Sequence, residues 1–119
     1  MNSKDSQERR RYPRIARQIP LRIKHEDYDF VSQTRDISCL GAYCTVNKHI
    51  PVFSIISIIL LLPLQKNRKN TCASVRCKGV VVRIEKDPKA HNQYNIAIYF
   101  NNLRQSDKAK LSQYVQQYL

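Results

Sequence analysis

Gln18-Ile19-Pro20-Leu21-Arg22-Ile23-Lys24 sets Ile19, Leu21 and Ile23 on one parity and Gln18, Arg22 and Lys24 on the other. A period of two is the signature of a strand with one face buried and one face in water. The same grammar runs along most of the chain. Residues 28–37, rich in aromatic and β-branched side chains, form a second candidate strand, and Ser38 to Gly41 make a turn into a short third strand at 42–46. Residues 53–62 are almost continuously apolar, which predicts a fourth strand buried on both faces. Residues 72–86 give a long fifth strand in which Gly79 marks a candidate bulge or bend. Residues 93–100 alternate again, with Tyr94, Ile96, Ile98 and Phe100 on one face. The polar stretches 66–70 and 87–92 are the intervening loops.

After Phe100 the period changes. Leu111, Tyr114, Val115 and Tyr118 follow the i, i+3, i+4, i+7 spacing of an amphipathic helix, with Ser106 or Asp107 as its expected N-cap. Six strands and one terminal helix predict a mainly β fold, a small antiparallel barrel or sandwich with the helix over an open end.

Length and composition bound the rest. A chain of 119 residues fits one core, and 42% hydrophobic against 25% charged residues is a globular rather than a disordered balance. Residues 1–8 read as a flexible leader and 9–119 as a single domain. Residues 1–11 are polar and charged and carry no apolar signal segment, so a cytoplasmic location is expected. The apolar run 50–64 is interrupted by Pro51 and Pro63 and falls short of a bilayer span, so no membrane segment is expected.

The formal charge is +12, and its excess lies near the N-terminus. Lys4, Arg9, Arg10, Arg11, Arg14, Arg17, Arg22 and Lys24 face only Asp5 and Glu8 within residues 1–25. Such a field attracts an anion without naming it. Nucleic acid, an acidic membrane, a phosphorylated small molecule and an acidic protein all fit the charge alone.

Two motifs narrow the field. Glu8-Arg9-Arg10-Arg11-Tyr12-Pro13-Arg14 uses arginine alone, although lysine is common elsewhere in the chain. A guanidinium grips a phosphate or the Hoogsteen edge of guanine through paired hydrogen bonds and also stacks on flat rings. Pro13 stiffens the segment and pushes Tyr12 toward extended backbone. The bland alternative is a solvated basic tail. The second motif is Asp36-Ile37-Ser38-Cys39-Leu40-Gly41. Read blandly, it is an ordinary turn in which Gly41 supplies an unusual φ. Read chemically, a carboxylate at a strand end accepts from the donor edge of guanine, with a serine hydroxyl beside it. Only two glycines occur in the chain, and one placed here suggests backbone lying close to something.

An arginine cluster (Arg9, Arg10, Arg14), a strand pair and then Asp-x-Ser-x-x-Gly (Asp36, Ser38, Gly41) together resemble the PilZ family of cyclic di-GMP receptors. The resemblance covers roughly residues 8–118. It includes the strand ending Leu62-Pro63, the strand carrying Gly79-Val80-Val81-Val82-Arg83, and the strand 94–100 before the terminal helix. It implies a six-stranded antiparallel β-barrel with a C-terminal helix. It also implies that Arg9, Arg10 and Arg14 wrap the dinucleotide, while Asp36, Ser38 and Gly41 meet a guanine from the barrel surface. Cyclic di-GMP is then the ligand, with no further cofactor, and the chain is a receptor or adaptor that signals to a protein partner. Family glycines before the fourth strand and in the last strand are absent, where this chain has Phe53-Ser54 and Asn95-Ile96-Ala97.

Other readings are weaker. A basic barrel for single-stranded nucleic acid has the charge and the aromatic residues, but its arginines should lie along a groove rather than before the first strand. A barrel that has lost its ligand and serves only in protein interaction should show eroded motifs. Cys39, Cys44, Cys72 and Cys77 invite a zinc or disulfide reading. However, Cys72 and Cys77 are an odd number of residues apart on one strand and point to opposite faces, so four separate thiols and no metal are expected. His25, His49 and His91 are isolated, and neither a glycine-rich phosphate loop nor paired carboxylates occur. No enzyme is expected.

Overall fold

The computed structural model describes residues 13–119. Its elements are β1 (Pro20–His25), β2 (Tyr28–Ile37), β3 (Gly41–Val46), β4 (Ile55–Lys66), β5 (Lys69–Lys86), β6 (Tyr94–Asn101) and α1 (Gln105–Gln116). All neighbouring strands are antiparallel, in the order β1-β2-β3-β6-β5-β4, and β4 returns to β1. The sheet therefore closes into a barrel, which leaves no unpaired edge strand among the described residues.

The period of two in the sequence becomes the inner wall. Leu21 and Ile23 from β1, Ile56, Ile58, Leu60 and Leu62 from β4, Val75 and Val81 from β5, and Ile96, Ile98 and Phe100 from β6 are buried together. Leu111, Tyr114 and Val115 of α1 cover one end of this core. At roughly 1.5–3 kcal/mol per fully buried large aliphatic side chain, this wall is the dominant stabilising element.

Three sequence expectations are corrected. First, β4 is buried on one face only. Ile56, Ile58, Leu60, Leu62 and Leu64 point inward, whereas Ile55 and Leu61 are exposed. A closed barrel of bare outer surface needs only one apolar parity, so the continuous run 53–62 overstates burial. Second, Gly79 sits in regular register, opposite Ile56 on β4 and Phe100 on β6. A Cβ at this position would point into the barrel at 2.4 Å from Ile58 Cδ1 and 2.6 Å from Ile98 Cγ2, so lack of space explains the glycine. Third, α1 starts earlier than Ser106 or Asp107. Arg104 is its N-cap, without a side-chain capping bond, and the Lys108 amide donates to the Arg104 carbonyl at 2.9 Å. Asp107 instead lies in the first turn, where the helix dipole favours an anion, 3.4 Å from Lys110 Nζ.

The connection between β4 and β5 is tighter than the polar stretch 66–70 suggests. Lys66 pairs with Lys69, and only Asn67 and Arg68 turn the chain, both with φ near +60° (53° and 62°). Two left-handed residues match a hairpin turn to the strand twist. Phe53 also has a left-handed φ of 72° while its side chain is largely exposed. That conformation costs a bulky residue energy which glycine avoids.

Two register shifts break the ladders. On β2, Thr34 pairs with Cys44 and Asp36 with Tyr43, so Arg35 is extra. On β5, Val81 pairs with Ile98 and Arg83 with Ala97, so Val82 is extra. Each bulge inserts one more outward residue and re-aims the next stretch of its strand.

Candidate functional site

The segment before β1 is tied to the barrel at two places. The Ile15 amide donates to the Ile37 carbonyl and the Ile37 amide to the Ile15 carbonyl, both at 3.0 Å. Farther on, the buried Thr34 hydroxyl donates to the Arg17 carbonyl at 2.6 Å and accepts from the Ile19 amide at 2.9 Å. The Thr34 amide donates to the Ile19 carbonyl at 3.0 Å. Burying Ile15 and Ile37 inward leaves their neighbours, Arg14 and Asp36, on the outside.

Arg14 donates from Nη1 to Asp36 Oδ1 at 2.5 Å. Both groups remain accessible, with side-chain exposures of 53% and 31%. The strand end and the arm thus present a cation and an anion side by side on the rim of the barrel. Arg17 lies with its guanidinium carbon 3.8 Å from the centroid of the Tyr118 ring. The arm is in this way fastened to the C-terminal end of the chain as well as to β2.

Ser38 and Gly41 close the turn between β2 and β3. The Ser38 amide donates to the Gly41 carbonyl at 2.9 Å, and Ser38 Oγ accepts from the Leu40 amide at 3.1 Å. Ser38 is buried, so its hydroxyl first serves the turn. Gly41 is not in the left-handed region. Its reason is a close approach, because a Cβ there would stand 2.1 Å from the backbone carbonyl oxygen of Ile98 on β6. The structure therefore brings Arg14, Asp36, Ser38 and Gly41 to one end of the barrel. Arg9 and Arg10 lie outside the described residues.

Sequence reasoning missed several neighbours of this cluster. Asp36 is opposite Tyr43, Tyr43 is opposite Ala97, and Ala97 is opposite Arg83, forming one row across β2, β3, β6 and β5. Arg83 holds its guanidinium carbon 5.8 Å from the Tyr43 ring centroid. Arg35, the bulged residue of β2, reaches Asn95 Oδ1 at 3.4 Å. Thr34, which pins the arm, was equally hidden. A change in the parity of the inward residues, from Thr34 to Ile37 and from Val81 to Ile84, was the available signal.

The cysteines are free and separate. Cys72 is exposed, Cys44 is buried, and Cys39 and Cys77 are partly covered. Burial pushes the Cys44 thiol up to about 12, and burial together with the nearby Asp107 carboxylate pushes Cys77 to about 11. Both are held in the unreactive thiol form at neutral pH. A disulfide-exchange reagent at pH 8 is expected to label Cys72 rapidly in the native protein. Cys44 should be labelled only at the rate of unfolding, and fast native labelling of Cys44 would contradict its burial in the core. Among the described residues no cluster of three or more His, Cys, Asp or Glu side chains is placed to hold a metal ion. No helix among them is long and apolar enough to cross a membrane.

Arg14 and the Asp-x-Ser-x-x-Gly turn thus sit together at one rim of a closed six-stranded barrel with a terminal helix. The sequence model of the PilZ domain matches residues 8–117, and the chain belongs to the PilZ domain family. That family comprises cyclic di-GMP receptors and adaptors, binding domains rather than enzymes. Among solved structures, the Bacillus subtilis Inhibitor of motility (MotI/DgrA) is similar, with a TM-score of 0.76 and 20% identity. The likeness covers 92% of this chain and 51% of that one, so this chain spans about half its length. At that identity the likeness concerns the fold alone. No curated protein sequence gives a significant match.

Proposed function

We propose that this chain is a cytoplasmic cyclic di-GMP receptor that uses its N-terminal arginine arm as a clasp. The observation that carries the reading is the contact of Arg14 with Asp36 on the barrel rim, beside the turn of Ser38 and Gly41. Each member has a chemical role toward the ligand. Asp36 accepts from the N1–H and N2–H donors of a guanine, and Ser38 and the backbone near Gly41 border the same base. Arg14 exchanges the Asp36 carboxylate for a phosphate, and Arg9 and Arg10 close over the second phosphate and the bases.

An exposed ion pair is well suited to this exchange, because it contributes only about 0–1 kcal/mol and is easily given up. Ligand binding draws Arg9 and Arg10 over the rim beside the segment already pinned at Ile15 and Arg17, and the altered surface is offered to a downstream protein. Isothermal titration of the full chain with cyclic di-GMP tests the reading and gives the stoichiometry. Saturable binding that survives physiological salt is expected. Absence of heat, together with steeply salt-dependent binding of a single-stranded oligonucleotide, would replace it with a nucleic-acid surface.

A further inference from the structure

The two bulges of the barrel serve the same outer row. Without the extra Arg35, Asp36 would not stand opposite Tyr43; without the extra Val82, Arg83 would not stand opposite Ala97. Bulges are features that re-aim side chains near functional sites. Here both deliver a charged residue to one line, Asp36-Tyr43-Ala97-Arg83, with a carboxylate at one end and a guanidinium at the other. Between them lie an aromatic ring and a residue with only a methyl group, which together make a low floor.

We propose that this row is the recognition floor for one guanine of the cyclic dinucleotide, and that Arg83 determines its selection over adenine. The inference rests on the receptor reading above and deepens it. Three strand spacings separate the ends of the row, about 14 Å between backbones, and the Arg83 guanidinium already reaches over the Tyr43 ring within that span. A purine laid face-down on Tyr43 and Ala97 then has its N1–H and N2–H edge toward Asp36. Its O6 and N7 edge adjoins that donor edge, on the side reached by the Arg83 guanidinium as it folds back over the Tyr43 ring, and O6 and N7 are the acceptor pair that a guanidinium fork matches.

Adenine fails at both ends. It lacks the N2 amino group for Asp36, and it places an N6 amino donor where Arg83 also donates. In the present structure Arg83 is lightly held. Its exposed side chain lies 3.6 Å from Glu85 and hovers over the Tyr43 ring, so a base can take the ring face and leave the guanidinium at its rim.

The test titrates the full chain and four variants with cyclic di-GMP and cyclic di-AMP. Tyr43→Ala is expected to weaken cyclic di-GMP binding roughly tenfold through lost stacking, and Tyr43→Phe to preserve it. Arg83→Ala is expected to weaken cyclic di-GMP by roughly tenfold or more while leaving the weak cyclic di-AMP affinity unchanged, so that discrimination falls by that factor and the remainder is due to Asp36. Asp36→Ala separates the two levels of the argument. If Asp36→Ala loses cyclic di-GMP while Tyr43→Ala and Arg83→Ala bind like the parent, the floor is wrong and the receptor reading stands. If the parent chain binds neither dinucleotide, both readings are overturned. Thermal melts of each variant show whether a loss reflects unfolding, in which case Arg83→Gln, which keeps the stem, gives the deciding affinity.

Discussion

Replacing Gly41 with alanine is expected to destabilise the barrel by about 3 kcal/mol or more, lowering Tm by roughly 10 °C. The cause lies in the backbone rather than in any side chain. An added Cβ would stand 2.1 Å from the Ile98 carbonyl oxygen and 3.2 Å from its carbon, and neither atom belongs to a group that can rotate away. Strands β3 and β6 would have to separate by about an ångström where Gly41 pairs with Tyr99. The same strain reaches the turn, because the Gly41 carbonyl accepts from Ser38 and the Leu40 carbonyl accepts from Phe100 at 2.8 Å. Gly79→Ala is the internal comparison. Its Cβ meets the ends of Ile58 and Ile98 side chains, which can shift rotamer, so a smaller loss is expected. Thermal melts of the two variants side by side check the ranking. Equal and small losses would show that β3 and β6 are not held this closely.

The strain at Gly41 bears on how the Asp-x-Ser-x-x-Gly motif works. In the sequence, Gly41 offered two readings, an unusual φ or a close approach of backbone to some neighbour. The structure supplies a neighbour within the fold, and Ser38 likewise spends its hydroxyl on the Leu40 amide. Two of the three motif residues therefore build the turn that holds the third, Asp36, at the rim. The ligand contact proposed for Asp36 depends on that scaffolding.

The strands were legible because a barrel wall demands one buried parity, and Ile19, Leu21 and Ile23 or Ile96, Ile98 and Phe100 satisfy it without exception. Where a strand is apolar on both parities, as in residues 55–62, the pattern cannot say which side is wet. Ile55 and Leu61 proved to be outside. Bulges were illegible for a related reason. They alter pairing between strands, and a single strand records them only as a slip in parity, as between Val81 and Ile84. The rim cluster was legible in part, through Arg14, Asp36, Ser38 and Gly41. Tyr43 and Arg83 escaped because they are distant in sequence and meet only through the register of β3, β6 and β5. Thr34 escaped because a buried threonine in a strand looks like any β-branched residue until its two hydrogen bonds are seen.

Asp36→Ala is expected to reduce affinity for cyclic di-GMP by at least about 30-fold, which is about 2 kcal/mol, while shifting stability by less than about 1 kcal/mol. The first figure reflects two guanine donors left without their charged acceptor. The second reflects the exposure of the Arg14–Asp36 pair. Arg14→Ala should behave alike, since a phosphate contact is lost and little else. A role in folding alone predicts the opposite pattern, with stability falling and affinity falling in its wake. The exchange Arg14→Asp with Asp36→Arg separates these cases more sharply than either single change. It restores an ion pair across the Ile15–Ile37 bridge, so a structural pair would be rescued. It also sets a cation against the donor edge of guanine and a carboxylate against a phosphate, so a binding pair would be damaged further. The exchanged protein is expected to melt like the parent and to bind no cyclic di-GMP. Recovery of binding in the exchanged protein would mean that the two residues serve the fold and that the ligand is recognised elsewhere.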